Sequence, residues 1–315
     1  MTGGAIAVPD RRAAVATLTW RSEATTRGCL ESLRVLPGWP ADVLVVDNAS
    51  GTGEGERLAV EFGVAHVTTD HNGGVAHGYN AALAWGYAHG YGAILLLNND
   101  VRIREPATLE LLLAAIGPGV AAVGPVVRDE DGAIYSAGGR LGRWTGRSWH
   151  RRGVVDGRPY AVPWIDGSAM LVSLAAAREV GGFAEDFFLY WEETDWCGRA
   201  RRAGWEVRLQ PAAEVIHVRG STATTSQTYS WSIRNMLLYA RRHAPLPEML
   251  TTIGFWSGVS LPLFAVRVTR RHGVRAAAAA VAHVLSWHLR DAARRGWRVP
   301  ADGPDVAGRG RDESP

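Results

Sequence analysis

Lysine is missing from this chain: all 34 basic side chains are arginine, and with 31 acids they leave a net charge of +3. An all-arginine repertoire reads first as compositional bias. Cysteine is nearly missing too. Cys29 and Cys197 lie far apart with no CxxC or Cys/His spacing, which excludes a disulfide framework and a thiolate zinc site. A reducing, cytoplasmic setting is expected. Met1 to Arg12 lacks the apolar run of a secretory signal. Met249 to Val266 runs 18 residues without a charge, the lower limit for a membrane span, and Pro262, Gly254 and Gly258 weaken it as a helix. The basic residues gather late in the chain instead of along an aromatic-interleaved face, so nucleic acid is not an expected partner. A membrane surface suits that placement better.

What is present is an ordinary globular composition, 47% hydrophobic and 21% charged, over 315 residues. That suffices for one large α/β unit plus an appendage. Ala14 to Thr19, Val43 to Val46, Val64 to Thr68 and Ile94 to Leu97 are short apolar runs, and helical patterns follow at Leu30, Leu33 and Leu36, at Leu58 to Phe62 and at Ala76 to His89. Polar clusters at Asp47-Asn48 and Asn98-Asn99-Asp100 close two of these strands, at the edge where open α/β sheets take their ligands. A nucleotide site is expected there. Helix Thr108 to Ile116, strand Val120 to Val127, a Gly/Arg/Trp-rich region from Asp129 to Trp164 and a second ordered block from Met170 to His217 complete the unit. Residues 1–12 read as a flexible N-terminus, 13–228 as the α/β domain, 229–299 as a helical, membrane-associating extension and 300–315 as a disordered tail. From Arg267 to Arg298 eight arginines accompany one acid, Asp291, in a basic amphipathic pattern.

Several residues carry candidate chemistry. Asp47 at its strand end can accept hydrogen bonds from a base or ribose; its structural alternative is to cap the next helix. Gly51, Gly53 and Gly55 do not complete a dinucleotide fingerprint, because Glu56 occupies the third glycine position. Asn72 to Asn80, with Gly73 and Gly74, opens a helix where free N–H groups suit phosphate. His77 within it reads as structural. Asp100 supplies one hard oxygen ligand, and magnesium in phosphate chemistry needs only one or two protein carboxylates. Glu192, Glu193 and Asp195 follow the apolar run Phe187 to Trp191, whose wall can raise a carboxylate's proton affinity. Their structural alternative is an acidic helix N-terminus. His217 after the run Val215-Ile216 is a neutral donor or a metal ligand.

Taken in order, Thr19-Trp20, Val45 to Ser50, Asn72 to Asn80, Leu95 to Val101, Asp166-Gly167-Ser168, Gly181-Gly182-Phe183, Phe188 to Arg202 with Gly204-Trp205, and His217 resemble family 2 of the inverting glycosyltransferases, in particular its rhamnosyltransferase-like and galactofuranosyltransferase-like members. The resemblance spans about Ala14 to Arg241. It implies a GT-A fold, a Rossmann-like and mostly parallel sheet flanked by helices, with a C-terminal helical extension. It implies that Thr17, Thr19 and Asp47 contact the nucleoside, that Asn72, Gly73, Asn80, Asn98 and Asn99 line the nucleotide-sugar pocket, and that Asp166, Gly167 and Trp191 face the acceptor. Asp100 matches the last acid of the family's DxD-type motif, whose first position here is Asn98. A divalent ion, Mg2+ or Mn2+, would then rest on Asp100 and His217. Glu193 matches the family's base, with Glu192 its rival and Asp195 beside them.

The implied reaction is a single in-line displacement on a nucleoside-diphosphate sugar, dTDP-rhamnose or a UDP-sugar, by a hydroxyl of a glycan or lipid-linked acceptor. Such an enzyme would serve cell-envelope polysaccharide or glycoconjugate synthesis from the inner face of the cell membrane, alone or as a homo-oligomer. Two other readings share the sheet and the metal: a nucleotidyltransferase, although Thr19 to Arg27 lacks its glycine loop, and a non-catalytic nucleotide-sugar-binding protein. A glycoside hydrolase fits less well, because adjacent acids such as Glu192 and Glu193 point in different directions.

Overall fold

The computed structural model describes residues 12–154, 157–218, 225–297, 304 and 306. The readings of residues 1–11 as flexible and of most of 300–315 as a disordered tail fall outside them. The chain begins with a Rossmann-like series: β1 (Ala13–Thr19), α1 (Glu23–Leu33), β2 (Val43–Asp47), α2 (Glu54–Phe62), β3 (Ala65–Thr68), α3 (Gly74–Ala88) and β4 (Ala93–Leu97). β1, β2 and β4 are buried on both faces, the pattern of central parallel strands covered by helices, and their residues are almost continuously apolar for that reason. β1 pairs in parallel with β2 and β4, and β2 with β3. All four strands therefore deliver their C-terminal ends to one edge.

The second half adds β5 (Val101–Arg102), α4 (Thr108–Ala115), β6 (Val120–Asp129), β7 (Ile134–Ser136), the ribbon β8 (Gly139–Leu141) and β9 (Ser148–His150), β10 (Tyr160–Ala161), β11 (Ala169–Ser173), α5 (Leu174–Val180), α6 (Glu192–Arg202) and β12 (Glu206–His217). The main sheet runs β10-β12-β6-β11-β4-β1-β2-β3, with β5 on β12 and β7 on β6. β11 lies antiparallel to β4, with Ala169 opposite Leu97, so the start of β11 meets the end of β4. β12 runs along β6, shifts register between Gln210 and Glu214, and ends antiparallel to β5 with His217 opposite Val101. These two pairings bring Asp166 to Ser168 and His217 to the edge that carries Asp100. Two apolar layers, one led by Leu83, Ile94 and Trp196 and the other by Leu30, Leu58 and Leu112, cover the faces of the sheet.

The extension comprises α7 (Thr225–His243), α8 (Leu246–Phe255), α9 (Leu261–His272) and α10 (Val274–Arg295). α8 and α9 form one 27-residue helix from Leu246 to His272, although Pro262 and two glycines were expected to weaken it. A π turn at Trp256–Ser260 explains the continuity, because the widened turn absorbs the clash a proline ring makes with the preceding turn. Gly273, at a φ of 86°, then reverses the chain into α10.

Candidate active site

Asp100 and His217 meet as the pairing of β12 with β5 requires: His217 Nε2 lies 3.1 Å from Asp100 Oδ2, and the Val218 N–H donates to the Asp100 carbonyl at 2.7 Å. The other carboxylate oxygen, Oδ1, is buried and accepts no hydrogen bond among the described residues. One carboxylate oxygen without a donor, beside an imidazole nitrogen, is a donor set that a divalent cation would satisfy. Asn98 cannot complete a two-acid motif. Its side-chain oxygen lies 2.9 Å from the Tyr79 hydroxyl, which is also 2.8 Å from the Gly167 carbonyl, so the single phenol proton is shared between the two. Tyr79 thus ties the loop after β4 to the Asp166-Gly167-Ser168 turn. Within that turn Asp166 Oδ1 accepts from the Ser168 N–H at 2.8 Å, and His150 Nδ1 stands 3.4 Å from Asp166 Oδ2.

Glu193, near the start of α6, packs against this turn; an added methyl at Gly167 would lie 3.3 Å from its Cγ. Burial, with the nearby charge of Asp166, outweighs its hydrogen bonds and pushes the Glu193 carboxyl up to about 7. Glu193 Oε1 accepts from the Thr194 hydroxyl at 2.9 Å. Glu192 is more deeply buried, and burial together with the charge of Glu193 pushes its carboxyl well above the usual range. Both carboxyls are displaced upward, Glu193 into the working range and Glu192 through its deeper burial and the charge of its neighbour, which separates two neighbours of identical chemistry.

Most other candidates have their polar atoms occupied by protein. Asp195 was grouped with the acidic cluster but is fully buried, with Arg199 at 2.9 Å, Arg242 at 3.0 Å and His243 at 2.7 Å. It is a structural anion. The Asp47 carboxylate caps its own loop, accepting from the Ser50 N–H, the Ser50 hydroxyl and the Gly55 N–H. Asn80 clamps Phe183, donating to its carbonyl at 2.9 Å and accepting from its N–H at 2.7 Å. Asn99 donates to Ser22 and Thr26. Thr17 and Thr19 are buried at the end of β1, and Thr19 donates to Glu54 at 2.5 Å. Asn72 accepts from the Gly74 N–H and from Asn48, so it shapes the Gly73-Gly74 turn. Most of these side chains therefore build the edge around the site.

Backbone conformation gives the aromatic run before the acids a further role and brings in Asn235 and Arg234, which carry no motif in the sequence. Phe188, Tyr190 and Trp191 have φ values of 61°, 67° and 77°, a region that costs non-glycine residues strain. Asn235 on α7 holds this stretch, its Nδ2 lying 2.7–2.9 Å from the carbonyls of Phe187, Leu189 and Tyr190, among which its two N–H groups are shared. Arg234 donates to the carbonyls of Asp186 and Phe187. Phe187 and Trp191 share a core with Met236, Leu237, Leu238, Trp256 and Val284 of the extension. Trp191 is only 7% exposed and rests on Tyr239, so it buttresses the loop more than it faces an acceptor. Gly74, at a φ of 85°, completes the contact: a methyl there would lie 2.0 Å from the Phe188 carbonyl oxygen.

Residues 14–178 match the family model for glycosyl transferase family 2, just over half of the chain. The chain belongs to that family and is a glycosyltransferase. It is 29% identical over 215 residues to an N-acetylglucosaminyl-diphospho-decaprenol L-rhamnosyltransferase of Mycobacterium tuberculosis, covering 60% of this chain and 70% of the relative. It is 24% identical over 216 residues to a dTDP-rhamnosyl transferase of Shigella flexneri, covering 65% and 72%. A mannosyltransferase from Pyrobaculum calidifontis, solved with GDP-Man and Mn2+, shares the fold at a TM-score of 0.55 and 17% identity, covering 92% of this chain and 84% of that one. The GT-A fold expected from the motifs is thus the fold of this family 2 chain. Glu192 and Glu193 lie beyond the matched segment, in the part that α7 braces.

Proposed function

We propose that this glycosyltransferase moves a sugar, rhamnose in the first instance, with inversion from a nucleoside-diphosphate donor to a hydroxyl of a glycan or lipid-linked acceptor in cell-envelope synthesis. Glu193 carries the reading: a carboxylate poised near neutral pH, set beside the Asp166-Gly167 turn at the same sheet edge as Asp100 and His217. Such a group accepts a proton from an incoming hydroxyl at working pH, a contribution of about 10² to 10⁴ in rate. The acceptor oxygen forms its bond to the anomeric carbon as the bond to the diphosphate breaks, and its proton passes to Glu193. Asp166 fixes the turn that faces the acid, and the burial of Glu192 disfavours a further negative charge beside it.

Asp100 and His217 would hold Mg2+ or Mn2+, with Asn98 turned to Tyr79 and Asp100 the principal protein ligand. When bound, the ion would offset charge on the leaving diphosphate. The rhamnosyltransferases among the relatives support the choice of donor sugar. A pocket of about 410 Å³ lined by Arg140, His150, Arg151 and Arg152 opens beside Asp166, and an acceptor with a phosphate group would suit it.

The extension supports action at an anionic membrane surface. Leu246, Leu250, Leu263, Val266, Leu285 and Leu289 are exposed on it, together with Arg270, Arg271, Arg275 and Arg290. Apolar side chains with an arginine rim are the composition of an interfacial helix pair.

The test is incubation of the purified chain with dTDP-rhamnose and a panel of UDP-sugars, with and without divalent metal. Release of nucleoside diphosphate that needs an acceptor supports the reading, and release from none of the donors overturns it. Release of pyrophosphate from a nucleoside triphosphate would favour the nucleotidyltransferase reading instead.

A further inference from the structure

Asp70, His71 and His77 converge in the segment that joins β3 to α3, and no step of the transfer reaction uses them. Their ligand atoms all lie within 4.8 Å of one another. His71 Nδ1 is 2.9 Å and His77 Nε2 3.1 Å from the same oxygen, Asp70 Oδ1, and the two rings lie 4.4 Å apart. The opposite nitrogen of His77, Nδ1, stands 3.1 Å from Glu185 Oε1 and is itself buried. A neutral imidazole has one N–H and one lone pair. With the proton on Nε2, His77 donates to Asp70 Oδ1 and its buried Nδ1 lone pair faces Glu185 Oε1; with the proton on Nδ1, the Nε2 lone pair faces the Asp70 oxygen instead. Either neutral tautomer leaves a lone pair of His77 against a carboxylate oxygen, an arrangement that a positive charge on the ring or a bound metal ion relieves. A carboxylate behind the distal nitrogen of a histidine is also the usual support of a metal-bound imidazole, because it fixes the tautomer and raises ligand basicity.

We propose that Asp70, His71 and His77 form a binding site for a divalent transition ion of the zinc class, with Glu185 supporting His77 from behind. Two imidazoles and one carboxylate are a donor set that suits zinc, cobalt or nickel and not magnesium. Ion-to-ligand distances of about 2.0 to 2.1 Å require only small shifts of these side chains, two of which are exposed. The site is separate from Asp100 and His217. Those residues lie beyond the end of β4, and β1 and β2 intervene before β3, so the two loops are about 14 Å apart at the usual strand spacing. An ion there would link the donor-side turn at Asn72 and Gly73 to Glu185, the start of the segment that leads to Glu193. That link ranks the site as structural or regulatory.

The experiment uses the full chain, stripped with chelator, and titrates Zn2+ against a chromophoric chelator and Co2+ by its visible absorption. Four variants are compared with the parent: Asp100→Asn, His77→Ala, Asp70→Asn and Glu185→Gln. The proposal expects saturable Zn2+ and Co2+ binding that survives Asp100→Asn, weakens at least 10-fold in His77→Ala and Asp70→Asn, and weakens less in Glu185→Gln. Excess Mg2+ should not compete. Binding that disappears in Asp100→Asn and persists in His77→Ala would assign the ion to Asp100 alone and overturn the proposal. Absence of saturable binding in the parent would overturn it equally. Both readouts are independent of transfer activity, so failure here leaves the role of Glu193 untouched.

Discussion

At the scale of single residues, the division of labour between Glu192 and Glu193 has a pH signature. A general base must be ionised, so activity should rise with pH through about 7 and level off above it, where Glu193 has lost its proton. Glu193→Gln should lower turnover by about 10²-fold or more and leave donor binding within about twofold. A pH–rate profile and a donor titration on the same preparations check both. Asp195 belongs to stability instead. Burial would raise its carboxyl, but Arg199, His243 and Arg242 outweigh that and hold it well below the usual range. A carboxyl depressed in the folded state contributes stability above its unfolded value, and the contribution is lost as pH falls toward the folded value. Asp195→Ala should cost about 3 to 5 kcal/mol, because it strands buried cations, and chemical denaturation at pH 7 measures it. The sequence offered only one of the three partners of Asp195 within reach, Arg199 one turn on; the other two, Arg242 and His243, stand more than forty positions downstream. Asp47, by contrast, had its capping role within reach, since Ser50 and Gly55 are local partners.

At the scale of elements, α7 matters as much as the acidic helix it braces. The Asn235 amide shares its two N–H groups among three carbonyls of a segment whose backbone is left-handed at three aromatic residues. Asn235→Ala should lower kcat by about 10²-fold with a much smaller change in donor KM, because a displaced base costs rate more than binding. Steady-state kinetics read that split, and Asn235→Asp, which keeps one oxygen but loses the donors, should not restore it. The α/β series was legible because alternation and periodicity are local: β1, β2, β4 and α3 fall within a residue or two of where the pattern puts them. The continuity of α8 with α9 was not, because the π turn that accommodates Pro262 leaves no residue signature. Nor was the grip of α7, a contact between segments some forty-five residues apart.

At the scale of the whole molecule, one sheet edge gathers residues from both halves of the chain, and the helical extension sits against the loop that aims Glu193. The exposed apolar face of that extension yields a measurement. The chain should float with vesicles rich in anionic lipid, and added salt should weaken the association because the arginines contribute electrostatically. Leu263→Glu combined with Leu289→Glu should reduce partitioning at least 10-fold, since each buried leucine is worth about 1.5 to 3 kcal/mol. Sedimentation with vesicles of defined charge checks this, and unchanged partitioning would leave the extension as a cap on the catalytic domain only.

The left-handed run at Phe188, Tyr190 and Trp191 also limits how the enzyme can be re-engineered. Its shape is dictated by a partner helix and not by its own residues, so it is not a portable cassette. A chimera that grafts residues 185–193 into a related scaffold without residues 225–243 would transplant the acids and lose their aim. Exchange of both segments together, into a scaffold with glycine at the place of Gly74, is the smallest swap that respects how this loop is made.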